Sequence, residues 1–320
     1  MKKITRRKFS RIMVVSASMA PIALKTYAYP AILPGKKSSP GKIYLGGPLS
    51  QDEKREPEVW INALRKKGYG AAFCPLNEDA DDSTVNAYKE AARKADIIIA
   101  EVGVWNNPIS PDEETRKAAL EKCISKLELA DRIEARCCVN VSGSLGKDKN
   151  GGPNPDDLSK DTFDLIVETT RKIIDAVKPS RTYYTLEDMP FRYPDSVDSY
   201  LDLIKAIDRK QFAAHLDPVN IINSPTRYFN NGALIKDAFT RLGKYIKSCH
   251  AKDTLLSNHL TVHLDEVVPG KGNLDYSVYL TELSKLDNVP MMMEHMEMDE
   301  YPQAAAYIKE VGKKNGLSFS

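Results

Sequence analysis

Residues 182–218 read TYYTLEDMPFRYPDSVDSYLDLIKAIDRKQFAAHLDP. A short apolar run rich in β-formers, TYYTLED (182–188), stops on acidic residues. A stretch with apolar residues at helical spacing (196–208) follows, and then a second apolar run, FAAHLDP (212–218), stops on Asp217 before a proline. Strand, helix, strand over about 35 residues describes two parallel strands joined by a crossover helix. The same alternation runs outward in both directions. Upstream lie strands KIYLGG (42–47), AAFCPL (71–76), DIIIAEVGVW (96–105) and ARCCVNVSGS (135–144), with helices over 51–68, through NAYKEAARKA, and through DEETRKAALEKCISKLELADRI. A polar Gly/Pro/Asp loop (147–158) leads to a helix at 161–177. Downstream come helix 231–247, strand SCHAKD (248–253), an additional extended piece LTVHLDEVV (260–268), helix 275–286, strand VPMMMEH and helix 301–314. Eight strand–helix units in residues 41–320 predict a single-domain α/β (β/α)8 TIM barrel. A doubly wound sheet would need a glycine-rich first turn. GKIYLGG has none, and no GxxxxGK[ST] occurs, which disfavours a nucleotide cofactor.

The 320 residues are 42% hydrophobic and 28% charged, a composition able to bury a large core. The net charge of +2 is spread along the chain and gives no footprint for nucleic acid. Five cysteines, odd in number and without CxxC spacing, argue against a disulfide framework and a zinc–thiolate site. The N-terminus reads as a separate object. MKKITRRKFSR is basic, IMVVSASMAPIAL is a diluted apolar stretch, and small residues near Ala28 offer a cleavage position. Such a stretch is too short to span a bilayer, so residues 1–28 are expected to be an export signal peptide of twin-arginine type, with no stable membrane span after its removal. Residues 29–40, with three prolines, read as a linker. The expected location is the periplasm.

In such a barrel, chemistry sits where strands end. Strand three ends near Glu101, strand five at Glu187, strand six at Asp217, strand seven at His250 and strand eight at Glu294. Singly, each has a bland explanation: Glu187 as a helix N-cap partner, Asp217 as the start of a turn. Together, converging carboxylates raise one another's pKa unless a cation relieves the repulsion. Oxygen-rich ligation with one imidazole suits a divalent ion such as Mn2+, Mg2+, Co2+ or Zn2+.

The segments TYYTLEDMP (182–190), HLDPVN (215–220), CHAKD (249–253), EVVPGKGNLD (266–275) and PMMMEH (290–295) resemble the xylose isomerase-like barrels, the sugar (phosphate) isomerases and epimerases grouped with endonuclease IV. The resemblance runs from about residue 42 to 315 and rests on H-x-K-D, P-G-x-G-x-x-D and E-H in that order. It implies one divalent metal, Mn2+ foremost, held by Glu187, Asp217, His250 and Glu294. Glu187 and Glu294 would also be the catalytic proton-transfer pair, acting α to a sugar carbonyl through a metal-stabilised enediolate. Glu101, Trp105, Asn220, Lys252 and Asp253 are the candidate substrate-binding residues, with Asn106 and Phe191-Arg192 beside them. For Lys252 and Asp253 the alternatives are orienting His250 or locking two loops. The family's epimerases carry a histidine three residues after the aspartate ligand, where this chain has Asn220, and an arginine after the histidine ligand, where Thr254-Leu255-Leu256 follows here. The substrate contacts are therefore expected to differ.

His215, two residues before Asp217, is expected to pack in the barrel interior, and His295, adjacent to Glu294, to face the outer helices. His259 and His263 have no assigned role. The expected activity is a metal-dependent isomerase or epimerase acting on a small carbohydrate, with a 3-keto-glycoside lyase using the same metal and glutamate as the alternative. A non-catalytic sugar-binding barrel and an abasic-site endonuclease, which needs three zinc ions and more histidines, fit less well. A homo-oligomer is compatible with the sequence.

Overall fold

The computed structural model describes residues 41–146 and 152–320; the export signal and linker read in residues 1–40 lie outside them. Eight parallel strands close into a barrel: β1 (Tyr44–Gly46), β2 (Ala71–Phe73), β3 (Ile98–Gly103), β4 (Cys137–Asn140), β5 (Tyr184–Glu187), β6 (Phe212–Leu216), β7 (Ile246–Ala251) and β10 (Pro290–Met293). β10 pairs with β1 to complete the ring, Leu45 opposite Met291. The predicted (β/α)8 barrel is the observed fold. Helices α1 (Pro57–Lys67), α2 (Asp82–Ala95), α3 (Glu113–Ile133), α4 (Lys160–Val177), α5 (Val197–Ile207), α7 (Asn231–Leu242), α8 (Tyr276–Leu283) and α9 (Tyr301–Lys314) surround it. Among the described residues no helix is long and apolar enough to cross a membrane.

Helix starts follow their caps. Asp81, Asp112, Ser159 and Ser196 each accept a backbone N–H three residues on, and Ser196 and Ser199 form a reciprocal capping box. A short helix not expected from the sequence, α6 (Pro225–Phe229), begins in the same way, with Ser224 as cap and Pro225 in its first turn. The helix expected over 231–247 stops at Leu242, and the chain turns through Gly243 and Tyr245 into β7 at Ile246. The extended piece after β7 is the second strand of a hairpin, β8 (Asp253–Leu256) against β9 (Leu264–Val267), inserted before α8.

Period-two alternation sorts the strands into two faces. Leu45, Ala72, Ile99, Met291 and Met293 join the main core against the helices. Tyr44, Ala71, Ala100 and Met292 form a separate cluster with Phe73 and Ile98, the packed floor of the barrel interior. Two one-residue register shifts interrupt the alternation. On β3, Ala72 pairs with Ile99 but Phe73 pairs with Glu101, and on β7, Ala214 pairs with Ile246 but His215 pairs with Ser248. Each extra residue reverses the parity of the strand residues beyond it. Val102 therefore faces the helices and Glu101 the interior. On β7, Cys249 and Ala251 face the helices, and Ser248, His250 and Lys252 turn inward.

Tyr200 on α5 ties two strands to this arrangement. Its hydroxyl donates to the carbonyl of Leu186 and lies 3.3 Å from that of Ala213, while it accepts the N–H of His215 at 3.1 Å. Tyr200→Phe leaves that buried N–H without its acceptor and should cost about 1–3 kcal/mol, seen as a lowered midpoint in urea denaturation. An unchanged midpoint would show that the hydroxyl does not tie β5 to β6.

Candidate metal centre

Glu187 closes β5, Asp217 follows β6, His250 lies near the end of β7 and Glu294 follows β10. One ligand atom from each lies within 4.8 Å of all the others. His250 Nδ1 is 2.9 Å from Glu187 Oε1, 2.9 Å from Glu294 Oε1 and 3.6 Å from Asp217 Oδ2. Neighbouring donors around an octahedral divalent ion with bonds of about 2.1 Å stand about 3 Å apart, so this spacing fits such an ion. The donor set fits as well. One imidazole nitrogen faces two carboxylates and can donate to at most one of them. Asp217 Oδ2, fully buried, makes no aligned hydrogen bond, although the Lys252 ammonium lies 2.8 Å away. Its other oxygen accepts the N–H of Val219 at 3.0 Å.

The electrostatics draw positive charge to this point. Burial acts to raise the Asp217 carboxyl, but Lys252 and His250 outweigh it and hold the group well below the usual carboxylate range. Burial opposes a charge on His250, yet Glu294, Glu101 and Glu187 push the imidazole well above its ordinary value. Lys252 is 2% exposed, with Nζ 2.8 Å from Glu294 Oε1, 3.6 Å from Glu266 Oε2 and 3.9 Å from Glu187 Oε1. Burial pulls this ammonium down, but Asp217, Glu294 and Glu187 together raise it.

A second set of acid and imidazole lies directly beneath. Glu101 Oε2 is 2.8 Å from His215 Nε2 and accepts from Ser248 Oγ at 3.1 Å, while Oε1 is 3.2 Å from His250 Nε2. The rings of His215 and His250 meet edge to face at 4.1 Å. Glu101, His215 and His250 also come within ligating distance of one another. Here, however, a single carboxylate meets two ring nitrogens and a hydroxyl, partners enough to satisfy it without a cation.

The other sequence candidates separate into two groups. Trp105 and Asn220 stand at the mouth. Trp105 is half exposed, with its ring centroid 6.2 Å from that of His250 and a left-handed backbone (φ 50°). Its indole Nε1 lies 2.3 Å from where a Cβ on Gly103 would be, so only glycine lets the ring lie there. Asn220 Nδ2 donates to Glu187 Oε1 at 3.2 Å and to the Asp188 carbonyl at 3.0 Å.

Glu101 is placed otherwise than expected, and Asp253 takes the loop-locking alternative and not the substrate-binding one. Glu101 is 1% exposed and fully engaged below the mouth, out of reach of a substrate. Asp253, fully buried, accepts four backbone N–H groups, from Thr254, Gly270, Gly272 and Leu274, and so locks the PGKGNL loop. Gly272 is needed there, because a Cβ would come within 2.3 Å of Asp253 Oδ1. Asn106 is paired with Asn140 and the Ala119 carbonyl, and Arg192 is buried against the Phe191 ring. His215 lies in the barrel interior, as expected. His295 does not face the outer helices. β10 has already ended, and a left-handed backbone (φ 57°) swings its ring over the mouth, with Nδ1 3.1 Å from Glu266 Oε1 and Nε2 3.7 Å from Glu294 Oε1.

Residues 61–311 match the xylose isomerase-like TIM barrel family, and the chain belongs to it. No curated protein matches the sequence. Solved structures with the same fold include a xylose isomerase-like TIM barrel protein from Mycobacterium smegmatis in complex with magnesium, 15% identical over 85% of this chain and 96% of that one, TM-score 0.61. D-psicose 3-epimerase with D-tagatose from Clostridium cellulolyticum is 16% identical over 86% of this chain and 100% of its own, TM-score 0.61. The apo form of 3-keto-D-glucoside 4-epimerase from E. coli is 13% identical over 84% and 100%, TM-score 0.61.

Two outcomes follow from the geometry. Burial acts to raise Glu294, but His250 and Lys252 outweigh it and hold the carboxyl at about 2, against an ordinary 4.5. A depressed carboxylate stabilises the fold above its unfolded value and loses that contribution as pH falls through its folded value. The urea midpoint of chelator-treated protein should therefore decline from pH 4.5 towards 2, and Glu294→Gln should make the decline shallower. Asp253→Ala leaves several buried N–H groups unpaired and should destabilise by about 3 kcal/mol in urea denaturation. Proteolytic cleavage of the 268–274 loop should also become faster.

Proposed function

We propose that the protein is a divalent-metal-dependent carbohydrate isomerase or epimerase that moves a proton on the carbon α to a sugar carbonyl. The observation that carries this is the convergence of Glu187, Asp217, His250 and Glu294 at the ends of four strands. These four side chains would hold the ion, Mn2+ first, with Mg2+, Co2+ and Zn2+ as alternatives. When bound, the ion polarises the carbonyl and its neighbouring hydroxyl and so makes the α C–H more acidic.

The chain's own residues supply the rest. Glu187 and Glu294 approach His250 Nδ1 from different strands, each at 2.9 Å. One carboxylate takes the α proton, and the other, protonated from solvent, returns one to the carbon. Asn220 steadies Glu187 through its hydrogen bond, and Lys252 pairs with Glu294 at 2.8 Å. Trp105 offers an apolar face to the sugar ring. Magnesium in one structural relative and sugar epimerisation in two others support this reading. The twin-arginine-like leader at residues 1–28 supports an exported, periplasmic enzyme. An exported enzyme without a basic cluster at its strand ends also suits a second reading, a lyase acting on 3-keto-glycosides. The 3-keto group acidifies the C2 proton, and loss of that proton expels the aglycone from C1.

The test is deuterium exchange in D2O. Free ketoses and 3-keto-glycosides are incubated with protein stripped of metal and with protein reloaded with Mn2+. Exchange at C2 or C3 should require the ion, and Glu187→Gln and Glu294→Gln should each slow it by about 10²–10⁴-fold. Exchange at full rate in both variants, or without metal, would contradict the mechanism.

A further inference from the structure

We infer that Glu101 is a positioning residue that fixes the ring orientation and tautomer of His250, so that Nδ1 presents a lone pair to the cation. The inference rests on the metal-centre reading above and extends it to residues outside the ligand set.

The fold goes out of its way to build this contact. The extra residue in β3 turns Glu101 into the barrel, and the extra residue in β7 turns Ser248 and His250 to meet it. Without the two shifts, the alternation that places Ile99 and Ile246 against the helices would also send Glu101, Ser248 and His250 outward. β-Bulges are a recurrent means of re-aiming a side chain next to a site. The result is a buried carboxylate at hydrogen-bonding distance from three side chains, His215, Ser248 and His250. An ionised carboxylate can only accept. Each of the three must therefore present a proton to it, and on His250 that proton sits on Nε2. The remaining nitrogen, Nδ1, is the one that faces Glu187, Asp217 and Glu294. His215 complements this arrangement. Its Nε2 serves Glu101, and its buried Nδ1 has no partner, which a lone pair tolerates better than an N–H.

Glutamine at position 101 breaks the pattern while keeping the shape. Its amide has one accepting oxygen and one NH2 donor, so one of the two histidines must give up its Nε2 proton. If His250 does so, Nδ1 becomes protonated and cannot ligate. If His215 does so, its Nδ1–H is left buried without an acceptor, a cost that zinc binding must then overcome, because in the metal-free variant an Nδ1–H on His250 finds Glu187 and Glu294.

Zinc binding, measured by calorimetry on the chelator-treated protein, and ¹⁵N NMR of histidine-labelled protein loaded with Zn2+ test the inference together. Glu101→Gln should weaken Zn2+ binding by about 10–100-fold, the usual effect of losing the outer partner of a ligating histidine. In the wild type, His250 should carry its proton on Nε2, with Nδ1 shifted by the metal. An unchanged zinc affinity in folded Glu101→Gln protein, or a wild-type His250 protonated on Nδ1, overturns the positioning role and leaves the metal centre standing. Should the variant fail to fold, the wild-type tautomer decides alone. Wild-type protein that binds no zinc overturns the metal-centre reading itself, and the inference with it.

Discussion

Three carboxylates drawn out of water into one small volume cannot remain charged together without positive charge among them. Glu187, Asp217 and Glu294 are in this position, and much of the barrel's upper end follows from it. His250 and Lys252 both come from the β7 end and reach between the acids from one side. Glu101 lies below His250, Asn220 braces Glu187, and Glu266 on the inserted hairpin pairs outward with Lys252 and His295. His250, Lys252 and Asn220 all set a positive charge or a donor against that excess of negative charge. A divalent ion relieves that excess most fully, because each acid becomes a ligand and no longer a repelling neighbour.

The barrel places these groups by parity and by two breaks in parity. Its floor is apolar and packed, with Tyr44, Ala71, Ala100 and Met292 in contact. Above the floor the inward positions become polar, first Glu101 with His215, Ser248 and His250, then the acids at the rim. This graded order stacks the buried charges one above another, with His250 joining Glu101 below to the rim acids above. A core polar network of this kind holds a site rigid only if all its members are paired. Tyr200 extends the pairing to the backbone of β5 and β6 from outside the barrel.

Most of the fold and the rim acids were legible in the sequence, because both depend on where short apolar runs stop. Glu187, Asp217 and Glu294 terminate their runs, and no register shift comes between those runs and the rim. Ser248 could have been found as well, standing two residues before His250 and so on the same face. Glu101 was visible as a polar residue in an apolar strand. Its role was not, since a one-residue bulge reverses the face it occupies and leaves no mark in composition. For Asp253 the strand pattern does not decide between touching substrate and locking a loop, because the N–H groups it accepts belong to a loop 17 to 21 residues further on. His295 turns over the mouth and not outward, because alternation holds only within a strand and the chain leaves β10 through this left-handed residue.

Whether Glu187, Asp217, His250 and Glu294 together bind one divalent cation can be read from an anomalous difference map of crystals of the protein grown with Mn2+. A single strong peak is expected at the C-terminal mouth of the barrel, within about 2.0–2.4 Å of an oxygen from each acid and of His250 Nδ1. A map with no peak there, or with manganese bound only elsewhere, would contradict that expectation.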